Sequence, residues 1–299
     1  MKRLFIQDPQ EAEKYIPQSI AEFMNQEREL DINRVHVTQL LQPPQIAALQ
    51  PLFPDRDIQN KVRLALGIAF HDFTQENDKR FEKEIIFNSE PQHKFALVGE
   101  PDFPESWKTM LDNEVDECVA DIKVTSIYKI KKCLDESKRL LDMEVIMQPP
   151  EFFREEYQNS FDWIWQASAY KYIGNYHKAT SALIFAVNFD AGNQRIKSSL
   201  TSENVVLDFH PIFFPLFDES VLVPDIKARW KKLRMMNAIV NEKNLVIADR
   251  LGWEIELDKY QLRCSTLDTW GGARCQRYCN LKDVCFGKEG SLEAKWSSK

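Results

Sequence analysis

Ala120-Asp121-Ile122-Lys123-Val124 is the stretch on which the reading of this chain turns. It lies in a longer apolar, β-branched run from Cys118 to Ser126 that predicts a strand. Side chains alternate between the faces of a strand, so Asp121 and Lys123 share one face and Ala120, Ile122 and Val124 the other. An apolar strand that carries an acid and a lysine side by side must give both a partner, because a lone buried charge is too costly to keep. Taken alone, the triplet is also what a plain salt bridge near a strand end looks like.

Upstream, Gly99-Glu100-Pro101-Asp102 closes a short apolar strand signal, Lys94 to Val98. Pro101 cannot donate to a ladder and ends regular pairing. Asp102 then sits where strand gives way to loop, with Glu100 competing for the same role; the bland alternative is a turn acid. Two carboxylates and a lysine at the ends of neighbouring strands suit a hard divalent cation, Mg²⁺ or Mn²⁺, which prefers oxygen ligands. Such an ion lowers the pKa of a bound water and stabilises charge on a phosphate. A lysine beside it can orient or deprotonate that water.

Two helical pieces flank this pair. Gly67 and His71 stand four apart in a helix predicted over 57–77 and so share one face. The glycine permits close approach to a sheet; the alternative is a partly buried helical histidine. Gln166 and Tyr170 share a face of a helix predicted over 151–173, with Trp163 one turn earlier. Gln166 offers donors and an acceptor and Tyr170 a hydroxyl. That face suits a phosphate or a base, or else packs Tyr170 into the core.

In series, Gly-x-x-x-His, Gly-x-Pro-Asp, Asp-x-Lys and Gln-x-x-x-Tyr resemble the RecB-like branch of the PD-(D/E)XK nucleases, over roughly residues 60 to 190. The resemblance implies a restriction-endonuclease-like α/β core, a mixed central sheet flanked by helices. It implies that His71, Asp102 and Asp121, with the Ile122 carbonyl, bind Mg²⁺ or Mn²⁺. It implies that Lys123 positions or activates the water and that Gln166 and Tyr170 help hold substrate and site. The expected reaction is phosphodiester hydrolysis in DNA, by an exonuclease of repair, recombination or phage DNA processing. The alternative is a nuclease-like subunit that binds DNA or assembles with partners without cutting.

The bulk numbers allow this. At roughly 150 residues per domain, 299 residues make one large domain or two smaller ones. We read an N-terminal helical region over 1–55, a nuclease core over 56–250 and a Cys-rich cap over 251–299. Further strands are predicted over 81–87, 181–189 and 204–209, and a basic helix over 224–248. A net charge of −7, from 39 basic and 46 acidic residues, argues against a histone-like DNA scaffold, though not against a locally basic groove. The first apolar run, Leu4-Phe5-Ile6, is too short for a signal peptide, and Ala182–Val187 is too short to span a bilayer, so a cytoplasmic protein with no membrane partner is expected. No Gly-x-x-x-x-Gly-Lys-Ser/Thr phosphate loop is present. The expected partners are DNA and a separate helicase or recombination protein.

Six cysteines occur, and Cys264, Cys275, Cys279 and Cys285 crowd near the end. In a reducing compartment such clustering points to metal rather than disulfides. Gly271 and Gly272 permit the tight backbone that a loop aiming Cys275, Cys279 and Cys285 inward requires. The spacing resembles the C-terminal part of the iron–sulfur centre of some RecB-like nucleases, which implies a [4Fe-4S] cluster. In that family a fourth cysteine lies upstream of the core; here that region reads Leu40-Leu41-Gln42-Pro43-Pro44, and Cys264 is the substitute. Zinc on four thiolates is the rival, and unliganded cysteines the bland reading. Protein purified without oxygen or chelators is expected to carry stoichiometric iron, and Cys279→Ala to lose it; elemental analysis that finds zinc, or neither metal, removes the cluster.

Overall fold

A computed structural model describes residues 30–49, 81–87, 90–103, 105–111, 114–174, 176–188 and 209–242. In chain order the elements are β1 (Arg34–His36), α1 (Val37–Leu41), α2 (Pro44–Leu49), β2 (Phe81–Phe87), β3 (Glu90–Gly99), β4 (Trp107–Leu111), β5 (Glu114–Thr125), α3 (Ile127–Leu140), β6 (Val145–Ile146), α4 (Pro150–Glu156), α5 (Phe161–Ile173), β7 (Ser181–Asn188), β8 (Phe209–Phe217) and α6 (Glu219–Glu242). The fold is mixed α/β. No helix among the described residues is long and apolar enough to cross a membrane. The chain divides into two compact units: residues 33–41 and 69–230 form the larger, and 1–32, 42–68 and 231–299 the other. In the second unit the described residues include α2 and the last part of α6, with Ile46, Ala47, Leu233 and Met236 buried.

The larger unit holds two sheets. One is three-stranded, in the order β1-β3-β2, with β2 and β3 antiparallel and β1 parallel to β3. The other is five-stranded, in the order β4-β5-β7-β8-β6. Its centre is the parallel pair β5–β7, in which Asp121 stands opposite Ile184 and Lys123 opposite Ala186. The face of β5 that carries Cys118 and Ala120 packs with Leu183 and is flanked by Phe103, Phe185 and Phe213. That face makes core, which leaves the other face for Asp121 and Lys123.

Helix α5 packs against both sheets. It is buried nearly all round, as its lack of a polar stripe dictates. Its polar atoms therefore all need partners. Ser168 Oγ donates to the Ile164 carbonyl and accepts from Phe217 N, tying α5 to the end of β8. Trp165 Nε1 donates to Asp225 Oδ2, which Arg229 also reaches, tying α5 to α6. Trp230 stacks on Phe95 at 4.8 Å between ring centres, closing α6 over β3.

Several elements differ from expectation. The helix predicted over 151–173 is two helices, α4 and α5, broken at Tyr157–Ser160. The break has a cause in α3: the buried Glu136 carboxylate accepts from Asn159 N and Nδ2 and from Ser160 N and Oγ. These bonds satisfy donors at the N-terminus of α5 that a continuous helix would not present. Helix α3 itself was not predicted, nor were β4 and β6. Of the strand predicted over 204–209 only Phe209 lies among the described residues, where it opens β8. Strand β8 contains Pro211 and Pro215, which cannot donate to a ladder. Both share parity with Phe213, whose carbonyl is taken by Ser137 Oγ at 2.7 Å rather than by β7, so their missing N–H groups cost no bond to β7. The basic helix starts at Glu219, not Pro224, because Asp218 Oδ1 accepts from Ser220 N and caps it. The predicted helix 57–77 lies outside the described residues.

Replacing Glu136 by Ala leaves the Asn159 and Ser160 donors buried without acceptors. Urea unfolding is expected to show a loss of about 2–4 kcal/mol, since each lost bond to a buried carboxylate is felt at nearly its full desolvation cost. An unchanged midpoint refutes this role for Glu136.

Candidate active site

Strand β5, the bend after β3, and α5 bring six of the expected site residues together: Asp102, Asp121, Ile122, Lys123, Gln166 and Tyr170. Asp102 sits in the bend, and its Oδ2 accepts from Ile122 N at 2.7 Å. This bond fixes the loop acid to the strand beside Asp121. Ile122 thus enters the site through its backbone nitrogen. Lys123 Nζ lies 2.5 Å from Asp121 Oδ2 as an ion pair. The same ammonium donates to Gln166 Oε1 at 2.9 Å, and Gln166 Nε2 donates to Tyr170 OH at 2.6 Å. The amide's orientation follows from chemistry: an ammonium only donates, so the amide oxygen must face it. The result is a relay from α5 to β5, Tyr170–Gln166–Lys123–Asp121. Gln166 and Tyr170 were expected to help hold both substrate and site; their bonds here go to Lys123 and to each other.

The electrostatics follow from burial. Asp121 is 2% exposed. Desolvation pushes its carboxyl up from 3.8 to about 7; Lys123 opposes this, and the neighbouring Asp102 carboxylate adds to it. Lys123 sits close to Asp121 Oδ2 by charge, yet no well-directed hydrogen bond reaches this buried oxygen. Tyr170 is buried and its hydroxyl is held well above its ordinary value, first by desolvation and then by Asp121, with Asp102 and Glu100 adding to it. It stays a neutral hydroxyl at any working pH.

Two close approaches make this geometry attainable. A Cβ on Gly99 would lie 2.8 Å from the Tyr170 ring and 2.5 Å from Ile173 Cδ1. A Cβ on Gly174 would lie 2.6 Å from the Tyr176 ring. Tyr176 is a residue the sequence did not single out. It is buried, its hydroxyl donates to the Phe103 carbonyl at 2.5 Å, and burial together with Asp121 and Asp102 pushes that hydroxyl up. Gly174 directly after α5 was a legible stop signal; the reach of Tyr176 back to the Asp102 loop was not.

The donor set suits a hard cation. Two buried carboxylates converge there, and the Lys123 ammonium offsets their charge only in part. Among the described residues no group of three or more His, Cys, Asp or Glu side chains converges to hold a metal. His71, expected as a further ligand, lies outside the described residues, as do Cys264, Cys275, Cys279 and Cys285. The two described cysteines, Cys118 and Cys133, are buried free thiols. Burial pushes the Cys133 thiol up to about 12, far from a metal-binding thiolate.

The raised Asp121 carboxyl has a consequence for metal-free protein. Between pH 3.8 and about 7 the folded state keeps a proton that the unfolded chain releases. Stability from this group is therefore full at low pH, falls as pH rises through that window, and levels off above it. In chelator, Asp121→Asn is expected to melt above wild type at pH 8 and to converge with it near pH 4. A constant difference across that range contradicts the assignment.

Neither a family model nor a curated protein sequence matches the chain. One matching solved structure is that of a protein called SSO0001, 14% identical, covering 92% of this chain and 96% of that chain with a TM-score of 0.40. At that degree of likeness, function has to be argued from the site itself.

Proposed function

We propose that this chain is a Mg²⁺- or Mn²⁺-dependent DNA nuclease of the RecB-like PD-(D/E)XK kind, cutting phosphodiester bonds from an accessible end. The observation that carries this reading is the Asp102–Asp121 pair beside Lys123. Two buried carboxylates repel each other and Lys123 offsets this only in part, which is costly unless a cation is to be held there.

The residues divide the work. Asp102 and Asp121 hold the cation, Asp102 already oriented by Ile122 N. When bound, a hard divalent ion supplies a water of lowered pKa and offsets charge on the phosphate. Lys123 is aimed at the same place by Gln166, which holds its ammonium beside Asp121. Tyr170 fixes the Gln166 amide. The proposal extends to His71 as a further ligand, to a Cys-rich cap holding an iron–sulfur cluster or zinc, and to a separate helicase or recombination protein as partner.

End-labelled linear and circular DNA incubated with Mn²⁺ tests this. Wild type is expected to degrade the linear substrate and Asp121→Ala to leave it intact. Lys123→Ala is expected to be nearly as severe while still binding Mn²⁺. Gln166→Ala is expected to lose about tenfold in rate, the worth of one charge-assisted bond. Binding of DNA without cutting, by wild type in Mn²⁺, overturns the nuclease and leaves a DNA-binding or assembly subunit.

A further inference from the structure

We infer that Tyr176 is a positioning residue for the candidate metal site, its hydroxyl holding the Asp102 loop in register with Asp121 through the Phe103 carbonyl. The inference rests on the metal-site reading above and adds to it a residue outside the four motifs.

The geometry carries it. The bond from Ile122 N holds Asp102 at its carboxylate. A bond at the carboxylate fixes the side chain and does not by itself fix the backbone that carries it. The Tyr176 hydroxyl supplies a second anchor one residue further on, at the Phe103 carbonyl, from a residue distant in sequence. That anchor opposes the repulsion between the two buried carboxylates, which would otherwise push the bend away from β5. The hydroxyl lies within the field of both acids, which keep it protonated and so always a donor. Its ring is placed independently of that bond. It packs edge-on against Phe81 at 5.9 Å and 61° and fills the space that Gly174 leaves by lacking a Cβ. Losing the hydroxyl therefore removes the anchor while leaving the packing in place.

The experiment titrates Mn²⁺ into wild type, Tyr176→Phe and Phe81→Leu, following the free-ion signal by electron paramagnetic resonance, and in parallel measures cleavage of linear DNA against Mn²⁺. Tyr176→Phe is expected to raise the Mn²⁺ dissociation constant roughly five- to tenfold, the loss of one buried hydrogen bond. Half-saturating Mn²⁺ for cleavage rises in step, while the rate at saturating Mn²⁺ stays near wild type. Phe81→Leu, which disturbs the ring and spares the hydroxyl, is expected to lower the melting temperature and leave Mn²⁺ affinity unchanged. Equal affinity of wild type and Tyr176→Phe overturns the inference alone, as does an equal weakening by Phe81→Leu, which would make packing the cause. Failure of wild type to bind Mn²⁺ overturns the metal-site reading and this inference with it.

Discussion

The burial of two carboxylates side by side, Asp102 and Asp121, is the constraint on which the arrangement depends. Removing a carboxylate from water costs several kcal/mol even after relaxation, and a second one nearby raises that cost. Among the groups that meet it are the Ile122 N–H on Asp102 and the Lys123 ammonium against Asp121. The cost is not met in full, as the elevation of the Asp121 carboxyl shows: burial outweighs the pull of Lys123. An opposite charge at the surface would be screened, so the compensation must come from within, and Lys123 can supply it only if held. That requirement reaches back to α5, whose Gln166 and Tyr170 hold the ammonium in place.

Helix α5 is therefore placed by bonds at every side. Glu136 of α3 takes up the donors at its N-terminus, Ser168 accepts from the end of β8, and Trp165 donates to Asp225 of α6. At its C-terminal end Lys83 of β2 donates to the Tyr172 carbonyl and lies over that ring at 3.5 Å. The partners of α5 in these bonds come from four different elements, α3, β8, α6 and β2. Gly99 then lets β3 come against the Tyr170 ring at a distance no other residue allows. An error of an ångström in α5 would separate Gln166 from Lys123.

Much of this was legible in the sequence, and the parts that were not share a cause. The division of β5 into a charged and an apolar face follows from alternation alone, β7 from its apolar run, and β2 from its mixture of charged and apolar residues. Asp102 at a strand end follows from Pro101. The pairing of Gln166 with Tyr170 follows from helical spacing. What could not be read was who bonds to whom across large separations. Glu136 looks like one more acid on a helix, and only the fold brings it to Asn159 and Ser160. Tyr176 looks like a loop aromatic until the turn after α5 sets its hydroxyl on Phe103. Gln166 was assigned to substrate as well as site because its spacing names a face without naming what that face meets.

The alternation in β5 also explains how a strand can carry such a load. Its ladder bonds to β4 and β7 do not depend on side-chain identity. Its apolar face, Cys118 and Ala120 with Leu183 among Phe103, Phe185 and Phe213, supplies burial that does not involve the charged face. Stability and chemistry are thus assigned to opposite faces of the same residues' backbone, and the cost of the acid pair is spread over a sheet that stands without it. The electrostatic strain that remains is located where a cation would relieve it. A protein whose folded state is weakened by Asp121 at neutral pH is, by the same linkage, one in which a bound divalent ion restores that stability. On this view the unfavourable Asp121 environment and the affinity proposed for Mg²⁺ or Mn²⁺ are two sides of one free energy, and the second anchor at Tyr176 keeps the loop from relaxing that strain by moving Asp102 away.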